Sequence, residues 1–66
     1  MAIVKTIEVI ASSEKSWDDA AKNGIEEAGK TVKNIKSAWV SDQKVIVTNN
    51  EIAEYRVNLK ISFVID

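Results

Sequence analysis

Residues 55–65 of the chain read Tyr-Arg-Val-Asn-Leu-Lys-Ile-Ser-Phe-Val-Ile. Every second side chain from Tyr55 to Ile65 is apolar, and the residues between them are polar as far as Ser62. A period of two over eleven residues predicts a long β-strand with one dry face. A strand of this length beside one amphipathic helix has more apolar surface than a chain of 66 residues can cover. The sequence therefore predicts assembly before it predicts any chemistry.

The length of the chain, 66 residues, predicts a single domain that spans residues 1–66. A domain of this size buries only ~60% of its unfolded-chain surface, and small scaffolds usually add disulfides, a structural metal or oligomerisation. The sequence contains no cysteine and no histidine, which excludes disulfides and thiolate metal sites and removes the commonest zinc ligand. Oligomerisation is the remaining means of stabilisation, and we expect a homo-oligomer.

The charges of the chain are balanced, with nine basic and ten acidic residues and a net charge of −1. This balance is not typical of a nucleic-acid-binding protein. No stretch approaches the ~20 consecutive apolar residues that a membrane-spanning helix needs, and nothing resembles a signal peptide. We therefore expect a soluble, cytoplasmic protein with neither nucleic acid nor membrane as a partner.

The first half of the chain predicts a strand followed by a helix. Residues 3–11 are rich in β-branched side chains and predict the strand, which Ser12-Ser13 should end. A helix is predicted next, because apolar residues recur at intervals of three and four from Trp17 to Ile35. Ser13 and Ser16 are the candidates for its N-cap. Gly24 and Gly29 lie within the predicted helix, where they either allow another element to approach closely or are tolerated at the surface.

The second half of the chain predicts a hairpin. Its first strand should run from about Ser37 to Val47, and a turn at Thr48–Glu51 should contain two asparagines, which tolerate positive φ. The order β-α-β-β is of the α+β class. An uninterrupted register places one set of side chains on the face away from the helix: Trp39, Ser41, Gln43, Arg56, Asn58 and Lys60. It places another set towards the helix, unless a bulge near Asp42–Val45 changes the parity: Ala38, Val40, Ile46, Leu59 and Ile61.

Catalysis is poorly supported by the residues present. The chain has no cysteine nucleophile, no histidine base, no glycine-rich phosphate loop and no metal-binding signature. The acidic pairs Asp18-Asp19 and Glu26-Glu27 fall on the predicted exposed side of the helix, where carboxylates are usually solvated. We therefore expect a protein that is not an enzyme.

Trp39 is the side chain that most indicates a site. A large aromatic side chain among polar groups on a sheet is either packed in an interface or is a stacking platform for a planar ligand, and both interpretations stay open. Trp17, by contrast, begins the apolar stripe of the helix and is predicted to lie in the core. Arg56 usually would pair with Glu54 or Glu51, with stacking on an aromatic ring or binding of an anionic ligand as alternatives.

Two motifs give the chain a family resemblance. They are Ser13-x-x-Ser16-Trp17-x-x-Ala20-Ala21 and Tyr55-x-Val57-x-Leu59-x-Ile61-x-Phe63, and their order and spacing resemble those of dodecins over residues 3–65. The resemblance implies a three-stranded antiparallel sheet partly wrapped around one helix. It also implies a hollow shell of twelve identical subunits with cubic 23 symmetry. Well-known dodecins store or sequester flavins, among them riboflavin, FMN and lumichrome, which makes flavin the expected cofactor.

The flavin motif of those dodecins is altered in this chain. Their flavin rings are sandwiched by a tryptophan on the second strand, at the position of Ser37, and a glutamine on the third strand, at the position of Arg56, contacts the ring edge. Trp39 lies two residues after Ser37, displaced by about 7 Å along the strand. It either offers a shifted platform or fills the pocket together with Arg56 by cation–π stacking. The candidate ligand-binding residues are Ser37, Trp39, Gln43 and Arg56.

A divalent cation is the alternative ligand. Asp42 corresponds to a position where flavin-binding dodecins carry an acid near a three-fold channel, and three copies of one carboxylate suit a hard cation. A solvent-exposed Asp42 without a metal is the other interpretation. The two functions that remain open beside flavin storage are a shell that holds ions or another small molecule, and a purely structural assembly.

Overall fold

The computed structural model describes residues 3–65. It contains strand β1 (Ile3–Ser13), helix α1 (Trp17–Ala28), strand β2 (Ile35–Thr48) and strand β3 (Glu51–Ile65). The three strands form one antiparallel sheet in the order β1-β3-β2, so β3 lies in the middle and pairs with both neighbours. This confirms the predicted β-α-β-β order and the single three-stranded sheet. No helix within residues 3–65 is long and apolar enough to span a membrane.

The core lies between α1 and the middle strand. Val57, Leu59 and Ile61 on β3 are at most 1% exposed, and Ala20 on the helix is fully buried against them. The alternating pattern of β3 thus produces one dry face, as the sequence predicts. Side chains from the other elements pack around this cluster: Ile7, Val9, Ala11, Trp17, Ala21, Ala28 and Ile35.

The start of α1 is fixed by a capping serine. The Ser16 hydroxyl accepts a hydrogen bond from the backbone N–H of Asp19 (3.0 Å), so Ser16 is the N-cap. Ser13, the other candidate, belongs to β1, and its hydroxyl donates to the Asp19 carboxylate at 2.6 Å. That hydrogen bond is the main reason why the pKa of Asp19 lies below its ordinary value, with the positive charge of Lys15 contributing. Ser12 and Ser13 are the last two residues of β1, so the strand ends two residues after the predicted Ala11.

The helix is shorter than its apolar stripe. It ends at Ala28, with Gly29 as the C-cap, and Asn34, the residue before β2, has a φ of 63°. Val32 and Ile35 lie beyond it, and Ile35 reaches the core from β2. The stripe of the sequence therefore runs through two elements, the helix and the start of β2, and a helix extending to Ile35 was the wrong interpretation.

Gly24 allows the helix to lie close to the sheet. A Cβ atom at this position would be 2.8 Å from Leu59 Cδ1 and 2.9 Å from Ala11 Cβ, both closer than van der Waals contact allows. Gly24 is buried, and it supports the interpretation of a close approach. Gly29 is exposed, and a Cβ there would meet only carbonyl oxygens of its own helix, at 3.3 and 3.4 Å.

The pairing of β2 with β3 shifts register at three places, and the shift between Val40 and Asp42 is a bulge that decides which way the candidate site residues face. On its first side Ala38, Trp39 and Val40 lie opposite Ile61, Lys60 and Leu59, as predicted. Ser41 is then skipped, because the register shifts between Val40 and Asp42. Beyond the bulge Gln43 lies opposite Val57, towards the helix, and Ile46 lies opposite Glu54, away from it. The uninterrupted register was therefore wrong for Gln43 and Ile46, and one inserted residue is the physical reason. The turn itself is as predicted, with φ of 53° at Asn49 and 63° at Asn50.

We expect Leu59→Asp or Ile61→Asp to abolish folding, and not only assembly. Both side chains are fully buried, and an unpaired carboxylate there would cost several kcal/mol, comparable to the whole stability of a small domain. Far-UV circular dichroism measures the result. Asn58→Asp is the control, since Asn58 is on the opposite face of the same strand and should fold. A folded monomer of Leu59→Asp would contradict the prediction.

Candidate functional site

The face of the sheet away from α1 carries the candidate site, and we call it the open face. Its residues are those that pair across the strands on the side opposite the buried cluster. It is built from all three strands: Thr6, Glu8, Ile10 and Ser12 of β1, Arg56, Asn58, Lys60 and Ser62 of β3, and Ser37, Trp39, Asp42 and Lys44 of β2.

Trp39 projects from the open face and is 63% exposed, although it is one of the largest apolar side chains of the chain. Its strand partner on β3 is Lys60, whose ammonium nitrogen lies 4.9 Å from the centroid of the indole ring. The two side chains form a cation–π contact. The predicted alternative of a Trp39–Arg56 stack is thus wrong in its partner, because the register sets Lys60, not Arg56, beside the ring.

Arg56 is occupied by an ion pair within its own strand. Its guanidinium donates through both Nε and Nη2 to Oε1 of Glu54, so Glu54 is the one of the two predicted acidic partners that Arg56 pairs with. Both side chains are about one-third exposed. A guanidinium is charged and has only hydrogen-bond donors, so Arg56 does not offer the neutral amide, with both a donor and an acceptor, that the resemblance implies for a flavin-binding dodecin at this position.

Ser37 occupies the position where the resemblance implies the stacking tryptophan, and its small side chain provides no stacking surface. It lies on the open face opposite Ser62, whose hydroxyl is 3.3 Å from the hydroxyl of Thr6. Ser37 and Trp39 share this face, and they are displaced by about 7 Å along the strand. The residues present do not fit a flavin sandwich of the type that the resemblance implies, because the ring platform and the edge-binding amide are both replaced.

The two remaining predicted site residues are separated by the bulge in β2. Asp42 lies on the open face opposite Asn58 and is exposed, whereas Gln43 lies opposite Val57 on the helix side. Gln43 therefore does not join Trp39 and Arg56. Within residues 3–65 of one chain, no group of three or more acidic side chains is arranged to hold a metal ion. A cation at Asp42 would need carboxylates from other copies of the chain.

Lys60 is the functional candidate that the sequence reasoning missed. The predicted register placed it on the same face as Trp39 but assigned it no role. The signal that identifies it is the pairing itself: Lys60 stands between Trp39 on β2 and Glu8 on β1. Only the ring contact of its ammonium, seen in the folded chain, distinguishes it from an ordinary surface lysine.

Trp17 connects the start of the helix to the second half of β2. Its indole N–H donates to the backbone carbonyl of Lys44 at 3.0 Å, and its ring meets Tyr55 edge-to-face at 5.2 Å between centroids. It packs against the core cluster, as the sequence predicts. The hydrogen bond from Trp17 to Lys44 joins the part of β2 that follows the bulge to the helix. This part of β2 carries Asp42 and Lys44 on the open face.

Comparisons with known proteins agree with the fold. A calcium dodecin of Mycobacterium tuberculosis is 33% identical over 63 residues, which cover 96% of this chain and 89% of the relative. The crystal structure of a calcium dodecin of that organism matches with a TM-score of 0.86 and 31% identity, over 97% of this chain and 91% of that one. The dodecin of Streptomyces davaonensis matches with a TM-score of 0.95 and 25% identity, over 98% and 96% of the two chains.

The family model described as Dodecin matches residues 3–66, nearly the whole chain. Together with the β-α-β-β topology and the single antiparallel sheet, this match means that the chain belongs to the dodecin family.

Proposed function

We propose that the chain is a small-ligand-binding and storage protein, not an enzyme, that works as a hollow homododecameric shell in the cytoplasm. The observation that carries the proposal is Trp39, an aromatic side chain on edge strand β2 that is 63% exposed beside polar side chains of the open face. Burying such a side chain is favourable, and either a planar ligand or a neighbouring subunit achieves it. The ligand site of the proposal is the open face around Trp39, in place of the flavin sandwich of other dodecins.

The distribution of apolar residues supports self-association. Within residues 3–65 only four hydrophobic residues form the buried core of one chain, while several large ones are exposed by more than half of their surface: Ile3, Val4, Ile10, Trp39, Val47 and Ile52. They lie on the edge strands and at the hairpin tip, where another subunit reaches them. The number twelve is part of the proposal, and the resemblance to dodecins supports it.

Static light scattering tests the shell. We expect a single species of about 88 kDa, twelve times the 7.3 kDa of one chain, at micromolar concentration, because association buries the exposed apolar surface. A monomeric mass under these conditions would contradict the proposal. Dissociation of the species by Ile10→Asp, at a residue 66% exposed in one chain, would locate part of the interface.

Riboflavin is the probe for the altered pocket. We expect weak binding by the unmodified protein, because Ser37 offers no ring platform and Arg56 is held by Glu54. The triple variant Ser37→Trp, Trp39→Glu, Arg56→Gln should bind riboflavin more tightly. The first change restores a ring surface worth on the order of 1 kcal/mol, the second removes a bulky side chain, and the third supplies a neutral amide. Quenching of flavin fluorescence measures both affinities.

The same titration distinguishes the alternatives. Tight binding by the unmodified protein that Trp39→Ala abolishes would show that Trp39 is itself the flavin platform. An intact triple variant with no gain in affinity would show that backbone geometry, not these three side chains, closes the pocket.

A divalent cation is the second candidate ligand, favoured by the likeness to a calcium dodecin. Asp42 is exposed on the open face, and the proposal is that three copies of its carboxylate meet at a three-fold axis of the shell, an arrangement that would suit calcium.

Calorimetric titration with calcium tests this second candidate on the assembled protein. Asp42→Asn should weaken binding by on the order of tenfold or more, since each site would lose three charged ligands. Asp18→Asn is the matched control, because Asp18 is an acid in the first turn of the helix and should leave calcium affinity unchanged. Equal affinities for the Asp42 variant and the unmodified protein would exclude Asp42 as a ligand.

A further inference from the structure

Asn23 and Gly24 form the single Asn-Gly pair of the chain, and both lie in α1. The backbone nitrogen that follows an asparagine can attack its side-chain amide, and glycine makes this attack easiest because it has no Cβ to crowd the approach. The other asparagines all precede larger residues: Asn34, Asn49, Asn50 and Asn58. Covalent structure alone therefore makes Asn23 the most reactive asparagine of the sequence.

The packing of the helix requires glycine at this position. Gly24 is buried, and a Cβ atom there would approach the side chains of Leu59 and Ala11 more closely than van der Waals contact allows. A cavity of about 430 Å³ lies next to it, between β1 and α1, and both members of the pair help to line this cavity. Close packing thus keeps the reactive pair in the fold, and the cavity leaves room for water beside it.

The side chain of Asn23 is exposed and joins α1 to the end of β1. Its amide nitrogen donates to the carbonyl of Ser12 at 3.5 Å and to the carboxylate of Asp19 at 3.4 Å. Both distances are long for a hydrogen bond from an N–H group, so these bonds restrain the amide only weakly. The same carboxylate accepts a hydrogen bond from the Ser13 hydroxyl at 2.6 Å. Asn23 is therefore one part of a polar contact between the helix and the first strand.

The helix protects this pair from reaction. Within α1 the N–H of Gly24 donates to the carbonyl of Ala20, and the helical dihedrals of Asn23 direct the glycine nitrogen away from the side-chain carbon Cγ. The attack therefore requires this turn of the helix to open, and a local opening costs less free energy than global unfolding. We propose that Asn23 is a deamidation site whose rate is set by the opening of α1 and whose products loosen the helix from β1.

The reaction needs no reactant except water. The Gly24 nitrogen forms a bond to Cγ of Asn23 and loses its proton, the bond from Cγ to Nδ2 breaks, and ammonia leaves with that proton. Water then opens the resulting succinimide ring at either of its two carbonyl carbons. One opening gives aspartate at position 23, and the other gives isoaspartate, in which the main chain runs through the side-chain carbon. No oxidant or reductant takes part, because the sum of the two steps is the hydrolysis of one amide.

Both products disrupt the contact between the helix and β1. Aspartate places a second carboxylate four residues after Asp19, where like charges repel, and it has no N–H to donate to the Ser12 carbonyl. Isoaspartate adds one carbon atom to the main chain, which breaks the helical period before Gly24. Opening of the helix thus permits the modification, and the modification favours further opening.

Peptide mapping by mass spectrometry measures the reaction on the assembled protein during incubation at mildly alkaline pH. We expect Asn23 to react about tenfold or more slowly in the folded protein than in urea, where it should react faster than the other four asparagines. Ser16→Ala, which removes the N-cap of α1, should accelerate the reaction of Asn23 in the folded protein about fivefold. It should leave the rate in urea unchanged. Asn50, exposed in the hairpin turn, is the control within the same samples, and its rate should not respond to Ser16→Ala.

Two results of this experiment would overturn the proposal. If another asparagine reacts faster than Asn23 in urea, the Asn-Gly pair is not the reactive site. If Asn23 reacts equally fast in the folded protein and in urea, or if Ser16→Ala leaves its rate in the folded protein unchanged, the opening of the helix does not set the rate.

Thermal unfolding tests the effect of the product on the fold. Asn23→Asp, which reproduces one product, should lower Tm by about 5 °C, since it loses a hydrogen-bond donor and adds a repulsion. Asn23→Gln keeps the amide and is the matched control, with a smaller decrease. Adding Asp19→Asn to Asn23→Asp removes the repulsion and should recover part of the loss. Equal Tm values for Asn23→Asp and Asn23→Gln would contradict the loosening of the helix by the product.

Discussion

The packing of the dry face of β3 against the helix is the contact on which the rest of the structure depends. Val57, Leu59 and Ile61 occupy the middle of the middle strand, so both other strands and the helix gather around them. The helix comes close enough only because Gly24 has no side chain to meet Leu59 and Ala11. Strand β3 thus supplies the apolar surface, and Gly24 allows the helix to pack closely against it.

One helix of twelve residues covers only part of a sheet whose strands are 11 to 15 residues long. The chain is accordingly elongated, with extents of 51 × 19 × 14 Å. The ends of the sheet and the hairpin tip lie outside the reach of α1, and they carry exposed valine and isoleucine side chains. In the proposed shell, subunits therefore associate because the helix is too small to cover the sheet, and not because the chain has a separate interface element.

The bulge at Ser41 has the largest effect on the open face. Before it, Trp39 stays beside Lys60; after it, Asp42 and Lys44 replace the odd-numbered residues that would otherwise face outward. One skipped residue thus moves Gln43 to the helix side and leaves charged groups beside the aromatic plane. Trp17, through its hydrogen bond to the Lys44 carbonyl, holds the strand beyond the bulge in this register.

The sequence by itself determined the elements and their order, because strand and helix periods, the Ser16 cap and the Asn49-Asn50 turn are local signals. It also indicated the core residues of β3, and it offered Glu54, two positions before Arg56, as one of two acidic partners for that arginine. The sequence could not show where the helix ends, because Val32 and Ile35 continue its apolar spacing. In the structure Ile35 belongs to β2, and Asn34 before it has a positive φ. The partner of Trp39 and the side taken by Gln43 were decided by tertiary structure alone. Both depend on the register between two strands, and a single bulge changes that register without leaving a distinctive residue in the sequence.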